Sequence, residues 1–232
     1  MELNAKKTKS MQFNFSKNLQ FKTDLVLKKQ NIENVQEIKL LGIILTSDLR
    51  WDKNIEYLVK YANKRMIMLH AASKFTSNRQ VLKQIYFSRI RCKLDQSAVV
   101  WNGSLTLKNI SDLERVAVRI ICGKKYESYS ETLKELGMVT LSERRESLCL
   151  KFAKKSLKVD NFGHLFPLSK KKHLMKTRGC DAYKVSKGYS ERFLKSAIPY
   201  MQRLLNKDRK KQLNDQKKLK TSTLSPTNFA CT

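Results

Sequence analysis

The residues of this chain best suited to chemistry are its cations, and the chemistry open to them is the neutralisation of phosphate. The 232 residues hold 48 Lys and Arg against 20 Asp and Glu, a formal net charge of +28. A surface this positive repels itself and favours a polyanionic partner, RNA or DNA first among them. Arg144, Arg145, Lys151 and Lys154 fall within one amphipathic run, where a helix would set them along a nucleic-acid backbone. Glu143 and Glu146 flank the two arginines, so an ion pair competes for one of them.

Metal and redox chemistry find little support. Asp24, Asp48 and Asp52 are isolated, and no Asp-Asp pair occurs that would hold two metal ions against a phosphoryl group. His164, His173 and Cys180 do not fit zinc-ligand spacing, and there is no Cys-x-x-Cys. The expectation is a chain with no cofactor of its own. Cys92, Cys122, Cys149, Cys180 and Cys231 are an odd, scattered set in a chain whose start is polar and basic, without an export signal. They read as free thiols of an intracellular protein, nuclear or cytoplasmic. No apolar run approaches the roughly 20 residues that span a bilayer, so no membrane partner is expected.

The elements that would position these groups follow from periodicity. Short strands are predicted at Met11–Phe15, Leu25–Leu27 and Glu37–Thr46, with a polar turn at Lys28–Asn31 and Gly42 at a bend or close approach. After Trp51, read as a core anchor, the spacing turns helical. Ile55, Leu58, Val59, Ala62, Met66 and Leu69 form one face. Capping signatures at Ser77/Gln80, Ser111/Glu114 and Thr140/Glu143 open three further helices. Their predicted apolar residues include Val81, Leu82, Ile85, Tyr86 and Ile90; then Val116, Ala117, Ile120 and Ile121, stopped by Gly123; then Leu148, Phe152 and Leu157. Cys92, Cys122 and Cys149 lie on these stretches as small hydrophobes. A last helix over Phe193–Leu205 contains Pro199, which predicts a kink or a late start. Lys170–Lys172 reads as a solvated run, and residues 207–232 are expected to be disordered. The shorter segment 151–232 carries +16, from 21 basic and 5 acidic residues, against +12 for residues 1–150.

Several stretches resemble the reverse transcriptases of non-LTR retrotransposons, in that family's order. Leu3-Asn4-Ala5-Lys6-Lys7-Thr8 is similar to its L-N-x-x-K-T pattern, and Leu40-Leu41-Gly42-Ile43-Ile44-Leu45 through Leu49 and Trp51 to its L-L-G-x-x-L-x-x-x-L-x-W pattern. Further on, Leu94-Asp95-Gln96-Ser97-Ala98-Val99-Val100-Trp101, Leu113-Glu114-Arg115-Val116 with Val118-Arg119-Ile120-Ile121-Cys122-Gly123, and Thr140-Leu141 with Arg144-Arg145 are similar to its L-E-x-S-A-V-V-W, helix and T-L-x-x-R-R segments.

The resemblance implies an α+β chain: a palm remnant with a primer-grip-like hairpin at 1–51, a helical thumb-like domain at 52–158, a basic segment with one further helix at 159–206, and the tail. It implies that Lys7 faces phosphate, that Leu41, Gly42 and Ile43 position a primer strand, and that basic helices follow the duplex of a primer–template. The family's catalytic Asp-Asp loop is not found in this chain. The implied molecule is thus a polymerase portion, inactive alone, whose parent enzyme needs Mg²⁺ and whose further partner is the upstream polymerase portion. A non-catalytic RNA- or DNA-binding module, or a decayed copy, is the alternative. Val116 runs directly into Ala117-Val118 where the family pattern is longer, which predicts a local loop or a shifted helical face.

Overall fold

The computed structural model describes residues 4, 7–13, 24–103, 108–169, 182–188 and 190–222. About 63% of the described residues are helical and the strands are few and small, so the class is mixed α and β. The chain divides into two compact units, Met1–Glu143 and Arg144–Thr232. That division falls inside the helix over Leu141–Ser156.

The first unit begins with three strand pairs. β1 (Lys9–Ser10) runs parallel to β4 (Glu33–Asn34), β2 (Val26–Leu27) antiparallel to β3 (Gln30–Asn31), and β5 (Glu37–Leu40) antiparallel to β6 (Ile43–Thr46). The strand expected over Glu37–Thr46 is therefore a hairpin. Its two-residue turn places both Leu41 (φ 49°) and Gly42 (φ 83°) at positive φ, as a primed turn demands. Among described residues before Asp52 only Thr46 is buried. Met11–Phe13 forms no strand, and Phe15 lies outside the described residues.

Helix α1 (Asp52–Phe75) packs on β6 and buries Ile55, Leu58, Ala62, Met66 and Leu69 of the face its spacing predicts, together with Asn54, while Val59 is half-buried. Asn54 Oδ1 accepts from Ile44 N at 3.1 Å, tying helix to hairpin. α2 (Arg79–Tyr86) is capped by Asn78, one residue after Ser77, whose side chain accepts from Gln80 N and Val81 N. It continues through a π turn (Phe87–Arg91) into α3 (Cys92–Asp95). Leu82, Tyr86, Ile90 and Leu94 are buried at steps of four, which drift by about 40° each on a plain α-helix. The wider π turn takes up that drift and keeps them on one face. Val81 falls outside this face and is exposed.

Ser97 (φ 52°) ends the run, and α4 (Ala98–Trp101) buries Trp101, whose Nε1 donates to Gln96 O at 3.0 Å. Trp101 is the fully buried tryptophan; Trp51 is only half-buried. α5 (Lys108–Cys122) runs unbroken past Val116, so no loop forms there, and Val116 itself is exposed. Ser111 and Glu114 do not cap it. The helix starts earlier, and Glu114 turns inward to accept from Tyr129 OH (2.7 Å) and Leu141 N (2.8 Å). Gly123, at φ 55°, ends it as predicted. α6 (Tyr129–Glu135) is capped by Ser128, a signature the sequence reading passed over. The Thr140/Glu143 box does form at the start of α7 (Leu141–Ser156), with both reciprocal bonds at 3.1 Å.

In the second unit, α7 buries Arg145, Cys149, Ala153 and Ser156, again at steps near four, while Phe152 is exposed. α8 (Glu191–Leu194) stops short, and α9 (Ala197–Ser222) starts late, with Pro199 in its first turn, where the missing N–H costs little. α9 runs on to Ser222, which corrects the disorder expected from residue 207. Lys, Arg, Gln and Leu in that stretch are strong helix formers, and Asp208 and Lys207 are tied to Lys154 (2.7 Å) and Glu146 (2.9 Å). Residues 223–232, Lys170–Lys172, His173, Cys180 and Cys231 lie outside the described residues.

Candidate nucleic-acid interface

The residues expected to meet nucleic acid fall into both units. Lys7 is exposed; Leu3, Ala5 and Lys6 of its motif lie outside the described residues. Leu41, Gly42 and Ile43 do form the hairpin end. In the second unit Lys151 is exposed and Arg144 half-buried. Lys154 is engaged by Asp208, and Arg145 is 1% exposed. A buried guanidinium has no path to a phosphate, so Arg145 is a structural cation.

The hairpin tip is the most defined part of this candidate interface. Gln96 Nε2 donates to Leu41 O at 2.8 Å, and Lys93 Nζ donates to Gly42 O at 3.1 Å and to Gln96 Oε1 at 2.5 Å. The end of α3 thus holds both turn carbonyls. Leu41 stands 85% exposed in a left-handed conformation that costs a side-chain-bearing residue about 1–2 kcal/mol. An apolar side chain is held outward under strain, as functional positions often are.

Cations cover tyrosine rings beside this tip. Lys39 Nζ lies 4.6 Å and Lys93 Nζ 5.5 Å from the Tyr57 ring centre; Arg65 lies 5.3 Å from that of Tyr61. The Lys39 ammonium bonded to Tyr57, with Lys93 nearby, holds its phenol below the usual tyrosine range, although burial opposes this. Sequence reasoning missed Lys39, Tyr57, Tyr61, Arg65 and Lys93. A signal existed: Tyr57, Tyr61 and Arg65 recur every four residues on the α1 flank. A second group joins Arg115 to Tyr129 (5.4 Å) and Arg119 to Tyr126 (5.3 Å), with Lys124 and Lys125 exposed next to it.

Cys122 and Cys149 are buried, whereas Cys92 is exposed, with its Sγ donating to Ser88 O. Among the described residues no group of His, Cys, Asp and Glu could hold a metal ion, and no helix is long and apolar enough to cross a membrane. No family model, curated protein or solved structure matches this chain.

Proposed function

We propose that this chain binds primer–template nucleic acid through its phosphate backbone, as the rear portion of a reverse transcriptase-like polymerase. The observation that carries the reading is the β5–β6 hairpin. Its Leu-Leu-Gly-Ile stretch ends in an exposed, strained turn that α3 grips by both carbonyls, with Lys39, Lys93 and Arg65 alongside. The +28 charge supplies the attraction, and no base-reading motif stands near these cations. RNA and DNA duplexes are the partners, with little sequence preference. The upstream polymerase portion would bring the carboxylates that hold Mg²⁺, which this chain does not supply.

Fluorescence anisotropy with a primer–template duplex over a range of salt tests this. Affinity should fall steeply as salt rises, and Leu41→Asp should weaken binding while circular dichroism stays unchanged. Binding that ignores salt, or is untouched by a negative charge placed at the tip, would remove the reading. Primer extension with Mg²⁺ should stay at background for this chain alone.

A further inference from the structure

We propose that the Lys39 and Lys93 ammonium groups, together with the Tyr57 hydroxyl, form a site for a single phosphate beside the hairpin tip. Three elements converge there: β5 supplies Lys39, α1 Tyr57 and α3 Lys93. Both ammoniums sit over one ring, at 4.6 Å and 5.5 Å from its centre. Two like charges so placed repel unless an anion joins them.

No carboxylate does so among the described residues. Of the acids nearby in sequence, Glu37 pairs with Lys53, Asp48 with Arg50 and Glu33 with Lys9. The charges acting on Tyr57 are both lysines. Lys93 spends two of its three N–H donors on Gly42 O and Gln96 Oε1, which aims the ammonium and leaves one donor free. Ring faces already covered by cations are poor platforms for a base, so the corner favours a phosphate oxygen over a stacked nucleobase. Identifying that phosphate with a nucleic-acid backbone rests on the function proposed above; a free polyphosphate is the other source of the same chemistry.

Two measurements on the full chain separate these. In the first, ultraviolet alkaline titration of wild type minus Tyr57→Phe isolates the Tyr57 phenol. Tripolyphosphate should raise its titration midpoint, because a neighbouring anion disfavours phenolate, and Lys39→Gln/Lys93→Gln should abolish that rise. In the second, the duplex salt slope should fall by about 0.9 in the double variant, one phosphate's worth, with each single variant giving part of it. Gln96→Ala, which loosens the turn without removing charge, should leave the slope alone.

A double-variant loss near 1.8 would mean two separate phosphates and would overturn the shared site. An unmoved phenol with an unchanged slope would overturn it too, while the wild type's duplex binding would leave the proposed function standing. A phenol that responds to tripolyphosphate in a chain that binds no duplex would do the reverse: the site stands and the nucleic-acid reading falls.

Discussion

The helices of the first unit bury Leu58, Leu69, Ile90, Leu94 and Trp101, whereas α9 in the second unit gives two of its buried positions to amides, Gln202 and Asn206. Asn206 accepts from Tyr183 N (3.0 Å) and donates to Tyr183 O (2.9 Å), as a neighbouring strand would. Gln202 accepts from Ser186 N (2.7 Å) and donates to Leu165 O (2.7 Å). On its other side Tyr183 bridges antiparallel to Leu168. Apolar burial is non-directional and sums over many side chains. An amide bonded to backbone fixes register, and its loss strands buried donors and acceptors. Both units bury apolar side chains, with Phe166, Met201, Leu204 and Leu205 in the second, but α9 adds two buried amides whose bonds to backbone fix its register.

The largest break in that comparison should come from Leu94→Ala. It removes a fully buried side chain from the first unit and should cost about 2–5 kcal/mol. Both tryptophans, Trp51 and Trp101, lie in the first unit, so the loss should appear in the denaturation curve followed by their fluorescence. Asn206→Ala should cost the second unit about 1–3 kcal/mol. It should speed amide exchange at Tyr183 and leave the tryptophan-detected midpoint nearly unchanged; a shift in that midpoint instead would show that the two units do not unfold separately.

Tyr86→Phe probes a costly polar atom in the first unit's face of Leu82, Ile90 and Leu94. Among the described residues the buried Tyr86 hydroxyl has no hydrogen-bond partner, so removing it should stabilise by about 1 kcal/mol at neutral pH. Burial, then the nearby Glu114 charge, raises the Tyr86 phenol; burial and the Glu114 hydrogen bond raise that of Tyr129. Above about pH 10 the unfolded chain loses protons that the folded tyrosines keep, so stability falls as pH rises. Chemical denaturation at stepped alkaline pH should show a shallower fall in Tyr86→Phe. The smallest effect is Leu41→Gly. It relieves the positive-φ strain and should leave stability level or about 1 kcal/mol higher, while weakening duplex binding if the exposed leucine makes contact. Lower stability in this variant would mean that Leu41 is not strained.

Periodicity alone located the buried face of α1, the Thr140/Glu143 cap and the stop at Gly123, because each depends on residues within a turn or two of one another. It misjudged Ser111/Glu114, where the same local signature yields to a tertiary demand: Glu114 serves Tyr129 and the first turn of α7. It also placed the apolar face of α7 on Leu148 and Phe152, one position away from Arg145, Cys149 and Ala153. Hydrophobicity cannot announce that an arginine is buried and a phenylalanine left out.

For the candidate site, the sequence by itself determined the excess of positive charge and marked Gly42 as a bend or close approach, since charge is a sum over composition and a glycine is permissive locally. That the bend is a two-residue hairpin turn came from the structure. Only the tertiary structure decided which cations act together. Lys39, Tyr57 and Lys93 lie 18 and 36 residues apart in sequence, and they meet because Asn54 binds β6 to α1 while Lys93 and Gln96 bind α3 to the turn. Proximity between distant segments depends on how helices pack, and no local pattern of residues encodes it.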